Sequence, residues 1–153
     1  MSYSLEKVTA LIGAHRFGAT DAVIDWLLTD SRSLAFPETT LFFALRTARG
    51  DGHRYLPDLY RRGVRNFVVE QLPEAWQTDY AGANFLRVVS PLKALQRLAE
   101  RHREEYDLPV VGITGSNGKT VVKEWLYQLL SPLKRVTRSP RSYNSQIGVP
   151  LSV

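Results

Sequence analysis

The hydrophobic positions of this chain alternate between helical and strand-like spacing. After Ser4, apolar residues recur at positions 5, 8, 11 and 12, which predicts a helix that ends at Gly13. Buried strands are predicted over residues 23–29 and 40–45, of which the second is almost wholly apolar, and further strands are predicted over 66–70 and 85–89. A short helix is predicted from Leu56 to Tyr60, with Gly63 just after its end. Strands that alternate with helices in this way predict an α/β fold.

The later part of the chain continues this alternation. Ser90 followed by Pro91 predicts the start of a helix, and its inward residues are Leu92, Leu95, Leu98 and Ala99. A strand over 110–114, a glycine turn, a helix over 119–130 and a strand over 135–138 are predicted to follow. That second helix has one apolar face, made of Val122, Leu126, Leu129 and Leu130. We therefore expect a domain over 1–106 and a smaller unit over 107–153.

Composition narrows the class of protein. The 153 residues are 44% hydrophobic and 23% charged, which is ordinary for a globular chain and argues against a disordered one. No apolar run approaches the roughly 18 residues of a membrane helix, so no membrane insertion is expected. The absence of cysteine excludes a disulfide framework, thiolate zinc sites and cysteine nucleophiles, and it is typical of a cytoplasmic protein.

The net charge of +5 raises the question of nucleic-acid binding. The distribution of charge argues against that function, because the excess lies near the end of the chain. No acidic residue follows Glu124, whereas Lys134, Arg135, Arg138 and Arg141 do. No platform of basic and aromatic residues repeats along the chain, so we expect no nucleic-acid partner. Steeply salt-dependent binding to arbitrary DNA would contradict this expectation.

The most informative stretch is residues 110–120, Val-Val-Gly-Ile-Thr-Gly-Ser-Asn-Gly-Lys-Thr. A predicted strand enters a glycine turn and a predicted helix leaves it, so backbone N–H groups and a helix N-terminus can face a phosphate. Lys119 would offset phosphate charge, and the Thr120 hydroxyl would bind Mg²⁺. The spacing departs from the general phosphate loop, because five residues rather than four separate Gly112 from Gly118. The alternative interpretation is an ordinary tight turn before a helix.

The same stretch resembles the ATP loop of the Mur ligases, whose usual form is Thr-Gly-[Thr/Ser]-Asn-Gly-Lys-Thr. Three upstream segments are similar to the N-terminal domain of that family, and they occur in the same order. They are Asp30-Ser31-Arg32, Leu41-Phe42-Phe43-Ala44-Leu45 and Asp51-Gly52-His53. The resemblance covers essentially the whole chain and accounts for the glycine offset.

Residues 143–151 are similar to the Asn-Asn-[Glu/Asp]-Ile-Gly-Val-Pro segment of the Mur ligases that add D-alanyl-D-alanine to UDP-N-acetylmuramoyl-tripeptide. Ser145 and Gln146 depart from that segment, and Gln146 removes a charge. The sequence of residues 139–146 also resembles that of versions of these ligases that are fused to an alanine racemase.

The resemblance implies a fold, a function and cofactors. It implies an N-terminal substrate domain, followed by the first strand-loop-helix part of a P-loop ATPase domain. The implied activity is an ATP-dependent ligase of peptidoglycan synthesis, with ATP and Mg²⁺ as cofactors, in the cytoplasm. The rest of the family's central and C-terminal domains would follow Val153, so we expect this chain alone not to ligate.

The resemblance also assigns residues to sites. ATP would be bound by Gly115, Ser116, Asn117, Gly118, Lys119 and Thr120, of which Lys119 and Thr120 are the catalytic candidates and Thr120 the Mg²⁺ ligand. The UDP substrate would be bound by Ser31, Arg32, His53 and Asn144.

Simpler roles stand beside these assignments. Asp30 orders its turn, and His53 serves equally well as a turn residue. A loop hydrogen bond accounts for Asn144 almost as well as a substrate contact. Arg46 and Arg49 either line the pocket for the UDP substrate or lie in a solvated loop. Arg138 and Arg141 meet phosphate, or they are charges whose acidic partners lie outside this chain.

Three other functions remain open. A non-catalytic module that binds a nucleotide sugar would use residues 1–106 alone. Another Mur ligase would add a single amino acid. A small-molecule kinase would need an acidic Mg²⁺ ligand after a second apolar strand, and no acid follows Glu124.

Overall fold

The computed structural model describes residues 2–48, 50–140 and 145–152. The strands are β1 Tyr3–Ser4, β2 His15–Phe17, β3 Val23–Ile24, β4 Trp26–Leu28, β5 Thr40–Phe43, β6 Arg46–Thr47, β7 Gly50–Asp51, β8 Asn66–Val69 and β9 Asn84–Arg87. The α-helices are α1 Leu5–Ile12, α2 Leu56–Arg61, α3 Trp76–Asp79, α4 Pro91–Glu104 and α5 Lys119–Leu130. Short 3₁₀ helices cover Ser31–Ser33, Pro37–Thr39, Gly52–Tyr55 and Pro150–Ser152. The predicted α/β class is confirmed.

The chain divides into two compact units, Met1–Leu98 and Ala99–Val153. The first unit is built on a five-stranded sheet with the order β2-β9-β8-β5-β4. The last four strands of this order run parallel, and β2 lies antiparallel at the edge beside β9. The carboxyl ends of β4, β5, β8 and β9 therefore meet at one edge of the sheet.

The central strands are apolar because both faces of the sheet are covered. Every residue of β5 and β8 is buried, as expected for parallel strands with helices on both faces. On one face, Phe67 stacks on Phe85 with ring centroids 5.3 Å apart, and Tyr80 meets Phe85 edge-on at 5.5 Å. The alternate residues, such as Phe43 and Val68, are also fully buried and point to the opposite face.

The predicted helices of this unit are confirmed. Helix α1 begins where the Ser4 hydroxyl accepts the Lys7 N–H at 3.2 Å, and it ends at Gly13, whose φ is 65°. Glycine is the residue that adopts this left-handed conformation at low cost. Helix α4 begins in the same way, because the Ser90 hydroxyl accepts the Lys93 N–H at 3.3 Å. Its buried residues are Pro91, Ala94, Leu95 and Leu98, while the predicted inward residues Leu92 and Ala99 are half-buried.

One predicted strand of the first unit is wrong in extent. Residues 23–29 do not form a single buried strand, because β3 pairs with β1 whereas β4 pairs with β5. The break falls at Asp25, whose N–H donates to the Thr39 carbonyl at 3.0 Å. Val23 and Trp26 are half exposed. Among the described residues, β4 is the last strand of its sheet and pairs with β5 alone.

The second unit departs further from the predictions. Helix α5 is confirmed from Lys119 to Leu130, but no residue within it is buried. In the described part of this unit, the predicted strands over 110–114 and 135–138 are absent. A strand forms only where a neighbouring strand completes its hydrogen bonds, and neither segment has one among the described residues. Val110 and Val111 are consequently about two-thirds exposed, at 68% and 67%.

Candidate functional site

The carboxyl edge of the parallel strands carries most of the predicted substrate residues. Asp30 lies two positions after the end of β4, Arg46 three positions after β5, and Glu70 directly after β8. In open α/β sheets, ligands bind outside the carboxyl ends of the strands. The topology therefore places Ser31, Arg32 and His53 at the edge where a ligand is expected.

The Asp30-Ser31-Arg32 segment is a tight 3₁₀ turn. The Asp30 carboxylate accepts the backbone N–H of Arg32 at 3.0 Å, so the prediction that Asp30 orders the turn is confirmed. The same carboxylate pairs with the Arg32 guanidinium at two points, 2.9 Å from Nε and 2.6 Å from Nη2. The side-chain hydrogen bonds from Arg32 have the largest effect on the pKa of Asp30, and the backbone hydrogen bond has the next largest. Together they lower this pKa to about 2.

Arg32 is oriented and yet accessible. Its side chain is 88% exposed, while the Asp30 carboxylate fixes its direction. The Ser31 carbonyl accepts Nη1 of Arg62 at 2.8 Å, which ties the turn to the end of α2. An exposed guanidinium held at a loop end is suited to a second anion, because its remaining N–H groups can bind phosphate oxygens.

Around His53, three side chains and both the side chain and the backbone N–H of Glu70 form a closed network. The Arg46 guanidinium pairs with Asp51 at 3.0 Å and with Glu70 at 2.9 Å. His53 Nδ1 lies 2.6 Å from the second Asp51 oxygen, and the Glu70 backbone N–H donates to His53 Nε2 at 3.1 Å. We name this set the carboxyl-edge ring. It brings together the candidates Arg46 and His53 with Asp51, which belongs to the Asp51-Gly52-His53 segment, and with Glu70, to which the sequence analysis gave no site role.

Asp51 is the member of this ring that pairs with both Arg46 and His53. Burial alone would raise its pKa, but hydrogen bonds from the His53 backbone N–H, the His53 ring and Arg46 together lower the pKa of Asp51 to about 2. The carboxylate therefore stays ionised at neutral pH. A charged residue directly after a buried strand, as Glu70 is, was the signal that could have found the ring in the sequence.

Two of the candidate residues, Asn144 and Arg49, lie outside the described residues. Arg141 does so as well.

The glycine loop precedes α5, as predicted. Gly115 and Gly118 have φ angles of 146° and 77°, and Gly118 is the N-cap residue of α5. A Cβ at Gly118 would meet nothing within 4 Å, so the space beside this glycine is open. The Lys119 ammonium folds back onto the Gly115 carbonyl and lies 3.4 Å from the Ser116 carbonyl. Ser116, Asn117 and Thr120 are exposed.

The segment after α5 is attached to that helix. Arg138 pairs with Glu124 and stacks over the Tyr127 ring at 4.1 Å from its centroid, and Lys123 donates to the Ser139 carbonyl at 3.0 Å. For Arg138, the interpretation that its acidic partner lies outside this chain is therefore wrong. Its partner is Glu124, the last acid of the chain.

The described residues contain no group of three or more His, Cys, Asp or Glu side chains that could hold a metal ion. Among the same residues, no helix has the length and apolar character needed to cross a membrane.

Comparisons with known proteins agree with the motifs. No protein-family profile matches the chain. The UDP-N-acetylmuramoyl-tripeptide–D-alanyl-D-alanine ligase of Synechocystis sp. is 36% identical over 130 residues, which are 85% of this chain and 28% of the relative. A UDP-N-acetylmuramoyl-L-alanyl-D-glutamate–2,6-diaminopimelate ligase of Cytophaga hutchinsonii is 33% identical over 76% of this chain and 24% of the relative.

Solved structures show the same fold. A crystal structure of MurF from Acinetobacter baumannii matches with a TM-score of 0.86 and 27% identity, over 99% of this chain and 32% of that one. MurF ligase from Thermotoga maritima, in complex with ADP, matches with a TM-score of 0.69 and 30% identity, over 82% and 28%. In sequence and in fold, the chain belongs to the Mur ligase family. It spans 28% to 35% of the length of the relatives that add D-alanyl-D-alanine.

Proposed function

We propose that this chain supplies the substrate-binding unit and the ATP loop of a ligase that joins D-alanyl-D-alanine to UDP-N-acetylmuramoyl-tripeptide. One observation carries the proposal: relatives with that name match 85% to 100% of this chain at up to 36% identity. The similarity of residues 143–151 to the corresponding segment of these ligases supports it. Peptidoglycan synthesis in the cytoplasm would be the setting, which the resemblance to these ligases implies and the absence of cysteine favours.

The glycine loop fits the phosphates of ATP. The space beside Gly118 is open, the glycines of the loop allow its N–H groups to turn towards a phosphate, and the loop leads into a 12-residue helix whose N-terminus favours an anion. Gly115, Ser116, Asn117 and Gly118 would hold the phosphates through the backbone. Lys119 would exchange its present carbonyl partners for phosphate oxygens, and Thr120 would offer its hydroxyl to Mg²⁺. Bound ATP would supply the phosphoryl group that activates the peptide carboxylate for attack by the amine of D-alanyl-D-alanine.

At the carboxyl edge, Arg32 is the residue best placed for the diphosphate of the substrate. Its guanidinium is directed by Asp30 and exposed, and Ser31 adjoins it in the same turn. Binding the UDP end here would orient a substrate whose reacting carboxylate lies at the far end, which converts a random encounter into a positioned one. Asn144 stays a prediction for the same substrate.

Titration calorimetry of the chain with UDP and with UDP-N-acetylmuramoyl-tripeptide tests this role. We expect both ligands to bind, and Arg32→Ala to weaken both severalfold. Arg101→Ala is the control, since Arg101 is an exposed arginine of α4 that is also paired with an acid, Glu104. Equal affinity of the wild type and Arg32→Ala would contradict the proposal.

A second candidate function is ligation of a single amino acid, because a diaminopimelate-adding relative also matches this chain. A ligase that contains this chain would then accept the UDP-muramoyl-dipeptide and reject the tripeptide. A non-catalytic nucleotide-sugar module predicts instead that UDP binding persists after truncation at Tyr106. Fusion to an alanine racemase stays a prediction, and the mass of the gene product in its source cells tests it.

A further inference from the structure

The carboxyl-edge ring uses both nitrogens of one imidazole. The Glu70 backbone N–H donates to Nε2 of His53, so this nitrogen carries no proton. Nδ1 therefore carries the proton and donates it to Asp51, 2.6 Å away. The His53 side chain is only 15% exposed, which leaves little of the imidazole for a ligand. His53 thus has the chemistry of a neutral bridge between the turn after β7 and the end of β8.

The charges of the ring argue against a phosphate site there. Asp51 and Glu70 are both negative, Arg46 is positive and the His53 ring is neutral in this arrangement, so the sum is −1. Arg46 already contacts both carboxylates. A diphosphate brought to this point would meet a net negative cluster, which repels it. The ring is therefore suited to holding the backbone in place.

The backbone held by the ring is unusually tight. The Gly52 N–H donates to the Leu45 carbonyl at 2.8 Å, and the Ala44 N–H donates to the Val68 carbonyl at 2.9 Å. A Cβ on Gly52 would lie 2.9 Å from Ala44 atoms. These contacts join the backbone just after β5 to the 3₁₀ turn that contains His53, and the carboxyl-edge ring joins the same turn to the end of β8.

We propose that His53 is a positioning residue that, as the Nδ1-protonated neutral imidazole, fastens the turn after β7 to the end of β8 and so pre-forms the carboxyl-edge surface. It acts through Asp51 and the Glu70 backbone and does not touch the ligand. The proposal deepens the proposed function and rests on it only for the statement that this surface binds the nucleotide sugar.

The first test determines which nitrogen of the His53 imidazole carries the proton. Long-range ¹H–¹⁵N correlation spectra of the chain at neutral pH distinguish the two neutral forms of histidine. We expect the His53 signal to show Nδ1 protonated and Nε2 unprotonated. A ring protonated at Nε2, or a rapid mixture of both forms, overturns the proposal. His15, which is exposed on the edge strand β2, is the internal control, and a mixture is expected there.

The second test uses variants that separate the two hydrogen bonds. His53→Gln can still accept from the Glu70 N–H, whereas His53→Ala and His53→Asn cannot reach it. We expect hydrogen exchange of the Glu70 amide to accelerate about fivefold or more in the Ala and Asn variants. We expect it to remain near the wild-type rate in His53→Gln. Unchanged exchange in His53→Ala overturns the proposal, and His15→Ala controls for the loss of a histidine elsewhere.

The third test separates positioning from contact. UDP affinity should fall in His53→Ala and recover in His53→Gln, because the turn after β7 is again fastened to the end of β8. A Gln variant that keeps the Glu70 amide protected but loses UDP as fully as His53→Ala would show that His53 contacts the ligand, which overturns the proposal. Absence of UDP binding by the wild type would contradict the proposed function, while the first two tests would still decide the role of His53.

Discussion

Gly52 lies directly against the backbone of Leu45. Its N–H donates to the Leu45 carbonyl at 2.8 Å, and a Cβ at this position would come within 2.7 Å of the Leu45 nitrogen. A neighbouring backbone cannot yield as a flexible side chain can. The conformation of Gly52 is not left-handed, so the requirement for glycine here is one of space alone.

Gly52→Ala should therefore destabilise the chain by about 1–3 kcal/mol, as overpacking does elsewhere. Urea denaturation followed by circular dichroism measures the change in the free energy of unfolding. Gly112→Ala is the matched control, because a Cβ there meets nothing within 4 Å, and its effect should stay within about 0.5 kcal/mol. Equal effects of the two substitutions would show that the Gly52 contact is not restrictive.

The acid limb of stability should depend on Asp30 and Asp51. Both carboxyl groups have a pKa lowered from 3.8 to about 2 in the folded chain. A group with a lowered pKa binds fewer protons when folded, so its contribution to stability is present above the ordinary value. That contribution is lost as the pH falls from about 4 towards 2. Denaturation midpoints at pH 6, 4 and 2 should fall less steeply in Asp51→Asn than in the wild type.

The buried pair of amide side chains, Asn66 and Asn84, should contribute to the stability of the chain. Asn84 is fully buried and its Nδ2 donates to Asn66 Oδ1 at 3.0 Å and to the Thr20 carbonyl at 2.9 Å. Asn84→Leu would leave those acceptors without their donor, which costs about 1–3 kcal/mol. Thermal and urea unfolding measure this. A loss below about 0.5 kcal/mol would show that water replaces the amide.

Much of the first unit could be predicted from local signals. Residues 41–43 and 67–69 are continuous apolar runs, and such runs are typical of strands covered on both faces. The caps at Ser4 and Ser90 are local hydrogen bonds, so the residue type alone predicts them. The glycine loop before α5 was predicted for the same reason, because its conformation depends on neighbours in the chain.

What could not be predicted depends on partners distant in sequence. Nothing in residues 23–29 says that its two halves pair with different strands. Nothing in residues 110–114 shows whether a neighbouring strand is present to receive them. The carboxyl-edge ring joins Arg46 to Glu70, 24 positions later in the sequence, and only the parallel register of β5 and β8 brings the two together.

One substitution compares an apolar stretch that forms a buried strand, β8, with one that does not form a strand, residues 110–114. Val→Thr replaces a methyl group with a hydroxyl of nearly the same shape. At Val68, which is fully buried in β8, the hydroxyl loses water and should cost about 1–3 kcal/mol. At Val111, which is 67% exposed, the cost should stay within about 0.5 kcal/mol. A large loss from Val111→Thr would mean that residues 110–114 are paired in solution.

Lys119 should govern ATP binding by this chain. Its ammonium now contacts the Gly115 and Ser116 carbonyls, which are the partners it would leave when phosphate oxygens arrive. Because hydrogen bonds to charged groups contribute about 1.5–3 kcal/mol, Lys119→Ala should weaken ATP about tenfold or more. Titration calorimetry with ATP and Mg²⁺ measures this, with Lys134→Ala as the control for the loss of an exposed lysine. An unchanged affinity in Lys119→Ala, or equal weakening in both variants, would remove Lys119 from the site and leave the glycine loop as a tight turn before α5.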